Sequence, residues 1–502
     1  MAKDNYESWL SLVKLKRFNK LEWRIQGMNS KTSVRSVVVT GLALFAMFFG
    51  AGNLIFPVMI GVQSGVEQVP ATVGFMLTGV LLPMAGMIAA ATSSSGVLGI
   101  IERISHYPGL VYCWLIFLST GMLYAIPRTG AASYSMSFQA AAGDSHLWLF
   151  VYTLVFFGIA GFLCLNPRNV LDRIGGLLTP ALLILLAVMI IAAVATMSPS
   201  EAAPDPKYAS NPTLKGVFDG YGTLDAIASF VFGVVIIRAL RHKGFQPGRQ
   251  LFKVTALSGV IAAFFLGIIY FGLSMVGSRV GRLNPEVKDG GEGLAFAAQY
   301  LFGSTGRVVL GAIAILACLT TAIGLIEAST QFFQGLFPRV SRPVWVILHV
   351  VVSLAIANLG LKSLLDAIIP VMMFCYPITI MLVVTCLLDI FIPGHMFWAY
   401  RLSVWVAAAF GLFDGIKAAC GLFKDSQVAA QLTQWIDNTI PMASLGLGWL
   451  IPSFLMLAIG LAIDIAQGRM KSQLDYDAVA RERNQSLVSA GLALNEDELD
   501  EV

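Results

Sequence analysis

Apolar residues run along this chain in long, unbroken stretches, separated by short segments that carry glycine, proline and charge. Twelve such stretches fall near 36–62, 69–95, 108–138, 147–166, 172–197, 220–240, 251–277, 304–335, 344–360, 364–391, 396–421 and 441–467. Each is close to or above the roughly 20 residues that a bilayer-crossing helix requires. None alternates apolar and polar positions with period two, as the strands of an outer-membrane barrel do. The pattern predicts an all-α integral membrane protein of about twelve transmembrane helices. The third, eighth and tenth stretches are long, so tilt or a kink is expected there.

Composition leads to the same class. Of 502 residues, 57% are hydrophobic and only 12% charged, with a mean hydropathy of +0.77. A soluble domain carries roughly 25% charged residues, so a fully water-exposed surface cannot be built from this chain. The net charge of +4 is small and reads as a topology signal, with no nucleic-acid partner implied. Lys3, Lys14, Lys16, Arg17, Lys20, Arg24, Lys31 and Arg35 precede the first stretch. Arg238, Arg241, Lys243, Arg249 and Lys253 follow the sixth, and Arg339 and Arg342 follow the eighth. Twelve crossings put all three groups on one side, so both termini are expected in the cytoplasm.

The first 35 residues lack an apolar core segment, so no cleavable signal peptide is expected. Within them, 6–26 mix Trp, Leu and Ile with basic residues, as an interfacial amphipathic helix or a loosely ordered tail does. The chain closes on NEDELDEV, which reads as a solvated acidic tail. The six cysteines form no CxxC pair and the five histidines no cluster, which argues against a disulfide scaffold or a zinc site.

Two apolar stretches contain poor helix. The first includes Gly50-Ala51-Gly52-Asn53, followed by Pro57. Each interior glycine costs about 1 kcal/mol against alanine, and unpaired backbone at membrane depth survives only where it lines a cavity or binds something. The competing reading is close helix packing through small residues, although packing alone has no use for Asn53. In the sixth stretch, Ser229 and Gly233 flank Phe230, Val231 and Phe232. Helices one and six head two five-helix halves, and an odd number of crossings inverts the second half. Interrupted helices at matching positions point to a central binding site. The amino terminus of a broken helix suits a carboxylate, and the carbonyl end of the preceding half suits an ammonium group or sodium. Walls of Phe48, Phe49, Phe230 and Phe232 then describe an amino acid with an apolar side chain. In the eighth stretch, the Ala317 carbonyl lies near Thr320 and Thr321 on one face, although threonine hydroxyls also bond back to their own helix.

The motifs FAMFFGAGNLIFP (45–57), AIPRTGAASYSMSF (125–138), GYGTLDAIASFVFGVVI (220–236) and CLTTAIGLIEASTQFFQGLFP (318–338) resemble the branched-chain amino acid:cation symporters of bacteria. Departures are Val58, where the family commonly has a second proline, and Gly130, where it has alanine. The resemblance implies a LeuT-type fold of two inverted five-helix repeats, 36–197 and 220–391. Peripheral helices over 396–467, an amino-terminal segment 1–35 and a tail 468–502 complete the expected organisation. It further implies that the amides of Gly50, Ala51 and Gly52 hold the substrate carboxylate. The carbonyls of Ala46 and Phe49 would form a sodium site with Ala317, Thr320 and Thr321. Of a second sodium site only Asn53 is recognisable.

Charges within the stretches are functional candidates because they are costly there. Arg128 admits two readings: an outer gate with Asp366 or Asp225, or snorkelling to the interface. Glu327 is expected in a wetted vestibule. No stretch carries the continuous polar stripe of a channel, and no nucleophile–base pair suggests an enzyme. The expectation is sodium-coupled uptake of Leu, Ile and Val across the bacterial inner membrane, with co-transported sodium as the ion. The alternative is a proton- or sodium-coupled carrier of another small neutral amino acid, with Glu327, Asp225 and Asp366 as proton-carrying candidates.

Overall fold

The computed structural model describes residues 30–469, apart from 91–99, 101–103, 105, 140–142, 144, 166–177, 243–244, 246–248, 288, 393–395 and 423–425. The amphipathic segment expected over 6–26 and most of the acidic tail lie outside the described residues. What is described is helical. The elements are α1 (Ser30–Phe48), α2 (Ala51–Ser64), α3 (Gln68–Met76), α4 (Leu82–Ala90), α5 (His106–Ser119), α6 (Ala125–Ser137), α7 (His146–Leu165) and α8 (Thr179–Thr196). They continue with α9 (Pro206–Ala209), α10 (Pro212–Tyr221), α11 (Asp225–His242), α12 (Arg249–Leu283), α13 (Gly290–Phe302) and α14 (Ser304–Leu336). The last are α15 (Arg342–Ala357), α16 (Leu361–Phe391), α17 (Trp398–Cys420), α18 (Gln427–Thr439) and α19 (Leu450–Ala466). With the continuous run α2–α4 (Ala51–Ala90) taken as one, seven helices among the described residues are long and apolar enough to cross a membrane, eight if α10 and α11 form one bent span. Four shorter apolar helices accompany them.

In a bilayer a long apolar run has one way to satisfy its backbone, which is helix, and the expected stretches therefore all meet helices. The departures are in their continuity. The first stretch breaks between α1 and α2, as expected. The long third stretch is not one kinked helix: a turn over Thr120–Tyr124 separates α5 from α6. The sixth breaks earlier than expected, because α11 runs unbroken through Ser229–Gly233 and the interruption is at Gly222–Leu224. The amphipathic helices α13 and α18 lie between apolar stretches and were not expected.

Helix α14 is buried along most of its length. Helices α7 and α8 expose apolar side chains such as Phe150, Phe162, Ile184 and Ile191, as lipid-facing helices do. Between α2 and α12, backbones approach closely through small residues. A Cβ on Gly61 of α2 would lie 2.0 Å from the Ser274 carbonyl oxygen, and one on Gly277 of α12 would lie 2.0 Å from that of Val58. Without a hydrophobic drive between helices, such contact is what holds them together. Gly277→Leu should force α12 off α2 and destabilise the fold by about 1–3 kcal/mol, read as a lower thermal unfolding midpoint in detergent. An unchanged midpoint would remove the claim that this contact is tight.

Candidate functional site

Three helix breaks converge. At the first, Gly50 is extended (φ −108°, ψ −161°) between α1 and α2. It lies so close to α14 that a Cβ would sit 2.9 Å from Thr321 Oγ1 and would have to displace that side chain. The second is the turn between α5 and α6. At the third, α10 and α11 meet at 42°, with Leu224 at φ +67°, an uncommon conformation for a residue with a side chain. Phe48, Gly50, Ala51, Asn53, Thr120, Arg128, Leu224, Asp225, Phe232 and Thr321 line a cavity at this junction. Phe48 and Phe232 meet edge to face there, with ring centroids 4.9 Å apart. The space open to water amounts to about 20 Å³, room for about one water molecule.

The third break leaves carbonyls at the end of α10 without helical partners, and within a membrane these must be paired. Arg128 of α6 pairs two of them. Nη1 donates to the Gly222 carbonyl and Nη2 to the Thr223 carbonyl, each at 3.3 Å. Tyr376 donates to the Tyr221 carbonyl at 2.8 Å. Nη1 also reaches Tyr124 OH at 3.2 Å, and the guanidinium carbon lies 5.1 Å from that ring's centroid. Arg128 is 7% exposed, so snorkelling to the interface is corrected: the charge is inside the protein. Its Nε has no partner among the described residues. Gly52 lies directly behind it: a Cβ there would be 3.4 Å from Nη2, in ordinary van der Waals contact.

Beside the guanidinium is a carboxylate that it does not pair with. Asp225 Oδ2 accepts from Asn53 Nδ2 at 2.5 Å and from Tyr270 OH at 3.2 Å. Asn53 Nδ2 also donates to Tyr270 OH. Asn53 Oδ1 in turn accepts from the Gly50 amide at 3.3 Å. One amide side chain therefore ties the first break to α11 and α12. The expected partner of Arg128 is accordingly not Asp225, and the side chain of Asp366 lies outside the described residues.

A cluster of oxygens adjoins the cavity on α14. Thr320 Oγ1 donates to the Ala46 carbonyl across the gap at 3.0 Å, and lies 3.0 Å from the Leu316 and Ala317 carbonyls of its own helix. Thr321 Oγ1 reaches the same Ala46 carbonyl at 3.2 Å. Bonding back along the helix and bonding across to α1 thus occur together. Ala46, at the carbonyl end of α1, and Ala317, Thr320 and Thr321 are brought together. For Phe49, the fifth expected member, the ring stacks on Phe45 with centroids 5.2 Å apart, away from the cavity lining.

Of the expected substrate residues, Phe48, Gly50, Ala51, Asn53 and Phe232 line the cavity, and Gly52 stands behind Arg128. Ser229, Phe230 and Gly233 do not. Ser229 donates to the Ala226 carbonyl at 2.7 Å and packs on Gly86, Gly233 packs on Ala90, and Phe230 is fully buried elsewhere in the core. The reason is the displaced break, which turns this face of α11 toward α4. Glu327 is not a wetted residue: it is 3% exposed, pairs with Arg342, and accepts from Gln331 Nε2 at 2.5 Å. Tyr270, Tyr124 and Thr223 were missed. The two glycines of GYGTLD, followed by an acidic residue opening a helix, are the signal that marks the third break. Lone tyrosines in apolar runs carry no such mark.

Residues 33–467 match the family described as branched-chain amino acid transport protein. The branched-chain amino acid permease BrnQ of Corynebacterium glutamicum is 39% identical over 432 residues, which cover 86% of this chain and 96% of that one. The permease BraB of Bacillus subtilis is 35% identical over 452 residues, covering 88% and 99%. Among solved structures, a nucleobase-cation-symport-1 family transporter in a closed conformation with bromovinylhydantoin bound aligns at 16% identity, with a TM-score of 0.49, over 82% of this chain and 96% of that one. Matches of this identity along nearly the whole of both sequences establish that the chain belongs to the branched-chain amino acid transport protein family, a transporter and not an enzyme.

Proposed function

We infer that the chain is a sodium-coupled symporter that carries leucine, isoleucine and valine into the bacterial cell by alternating access. The observation that carries this reading is the cavity at three helix breaks. It holds one guanidinium and one carboxylate that are not paired with each other, among apolar side chains. A zwitterion with an aliphatic side chain matches it at each end. The carboxylate lies at the amino terminus of α2, on the Ala51 and Gly52 amides and Arg128, where helix dipole and guanidinium act together. The ammonium group lies against Asp225, whose bonds from Asn53 and Tyr270 both go to Oδ2. Phe48, Phe232 and Leu325 enclose the side chain.

In this reading sodium binds the oxygens of Ala46, Ala317, Thr320 and Thr321, with the Phe49 carbonyl completing the set. Thr321 belongs to both this set and the cavity wall, so ion and substrate act on one residue. Linkage then requires each to raise the other's affinity by the same factor. The frame is a LeuT-type fold of two inverted five-helix repeats plus two peripheral helices, with twelve crossings of the inner membrane and both termini cytoplasmic. Coupling by protons is the second reading, favoured by a buried carboxylate in the cavity wall.

Uptake of radiolabelled leucine into proteoliposomes tests the proposal. Accumulation driven by an inward sodium gradient and competed by isoleucine and valine is expected. Accumulation driven only by a proton gradient selects the second reading, and no leucine uptake under either gradient rejects both. Thr321→Ala should raise the sodium concentration for half-maximal uptake by about tenfold, the scale of losing one charge-assisted oxygen contact, with folding retained. An unchanged sodium dependence would sink the ion site.

A further inference from the structure

A second cavity, of about 470 Å³, lies away from the transport site at the start of α17. Its walls are Ile104, Trp398, Arg401, Leu402, Trp405 and Val406. The helix end beside it is already neutralised from within the protein. Asp464 of α19 accepts from the amides of Phe397, Trp398 and Ala399 at 2.9–3.1 Å. The cations next to it are not neutralised by any described residue. The Arg401 guanidinium lies 3.8 Å from the Phe397 ring centroid and that of Arg469 lies 4.4 Å from the same ring. Among the described residues neither forms an ion pair with a carboxylate. Two like charges on one ring repel, and Arg401 Nε is buried without an acceptor among the described residues while its side chain lines the cavity. Among the described residues the cavity therefore has positive charge and an unused donor but no anion.

The rest of the lining indicates which anion. Leu402, Trp405 and Val406 continue from Arg401 along a helix apolar enough to cross the bilayer, and Trp405 is 48% exposed. Tryptophan beside a basic residue at a helix end is the arrangement found at headgroup level, where one part is wet and the other lies in hydrocarbon. A soluble anion has no use for that apolar rail. We propose that this cavity binds one anionic phospholipid, its phosphate on Arg401 with Arg469 adding charge, and an acyl chain along Leu402, Trp405 and Val406. Such a lipid supplies the acceptor that Arg401 lacks and fixes the start of α17 against the bilayer.

The test is native mass spectrometry of the purified full chain in detergent, titrated with phosphatidylglycerol or with phosphatidylcholine of the same acyl chains. One phosphatidylglycerol should be retained in preference to phosphatidylcholine. The double variant R401Q/R469Q should bind it about thirtyfold more weakly, at roughly fivefold for each basic residue near the membrane surface. R401K/R469K should keep most of the affinity. Equal binding of the two lipids, or an unaltered affinity in R401Q/R469Q, overturns the proposal. So does displacement of the lipid by millimolar inorganic phosphate, which would make this a soluble-anion site. Should R401Q/R469Q fail to fold, the unmodified chain still decides the matter. Phosphatidylglycerol brominated on its acyl chains should quench its tryptophan fluorescence more than brominated phosphatidylcholine does, and W405F should reduce the difference, leaving only the share of Trp398. Equal quenching by the two also overturns it.

Discussion

Replacing Arg128 with glutamine should reduce kcat/KM for leucine uptake by about 100-fold or more while the protein still reaches the membrane. Removing one partner of a buried, hydrogen-bonded charge pair costs about 2–5 kcal/mol, because the other charge is left desolvated. Arg128 also pairs the Gly222 and Thr223 carbonyls, so a loss of uptake alone does not separate recognition from support of the break. Leucinol separates them, since it keeps the side chain and amine of leucine but has no carboxylate. Its competition against a labelled substrate should change little between the parent and Arg128→Gln. If leucine and leucinol weaken together, Arg128 acts on the shape of the α10–α11 junction and the carboxylate is held elsewhere.

The second large effect is expected at Asp225. Asp225→Asn keeps the size of the side chain and its contacts with Asn53 and Tyr270 while removing the charge, so the Gly50–Asn53 tie should persist. Leucine uptake should again fall by about 100-fold, the cost of leaving an ammonium group without its counter-charge in a site closed to water. Binding of 4-methylpentanoate, which lacks the ammonium group, should improve relative to leucine. The same variant separates the two coupling readings. If Asp225 carries a coupled proton, Asp225→Asn should still exchange leucine for leucine across the membrane while losing accumulation against a gradient. If it holds the ammonium group, exchange and accumulation should fall together.

Much of this architecture was legible before the structure, and the reason is the solvent. Long apolar runs such as those of α12, α14 and α16 have no alternative to helix in hydrocarbon, so their existence follows from composition alone. The break at Gly50–Asn53 was legible because two glycines and an amide are poor helix in the middle of a span. The break between α5 and α6 was not, because Thr120–Tyr124 holds one glycine among apolar and aromatic residues, and its signals, Pro127 and Arg128, lie downstream. The sixth stretch misled for a related reason. Its most visible glycine, Gly233, serves packing against Ala90, while the interruption falls where Leu224 takes a conformation that its residue type does not advertise. Arg128 was recognised as important, but its partners are backbone carbonyls released by a break 94 and 95 residues away, and no local pattern encodes such a pairing. Tyr270 is the same case at a separation of 217 residues from Asn53.

The small size of the central cavity sets what a binding measurement on this chain reports. A chamber with room for about one water does not accept leucine until Phe48 and Phe232, which meet across it, draw apart. Where the arrangement described here predominates, the receptive conformation is a minority of the molecules at equilibrium. Measured affinity is the intrinsic affinity multiplied by that minority fraction, so if about one molecule in a hundred is open, a micromolar fit reads as roughly 0.1 mM. A modest dissociation constant here would describe how seldom the chamber opens, and a smaller residue in place of Phe232 would tighten apparent binding without adding a single contact.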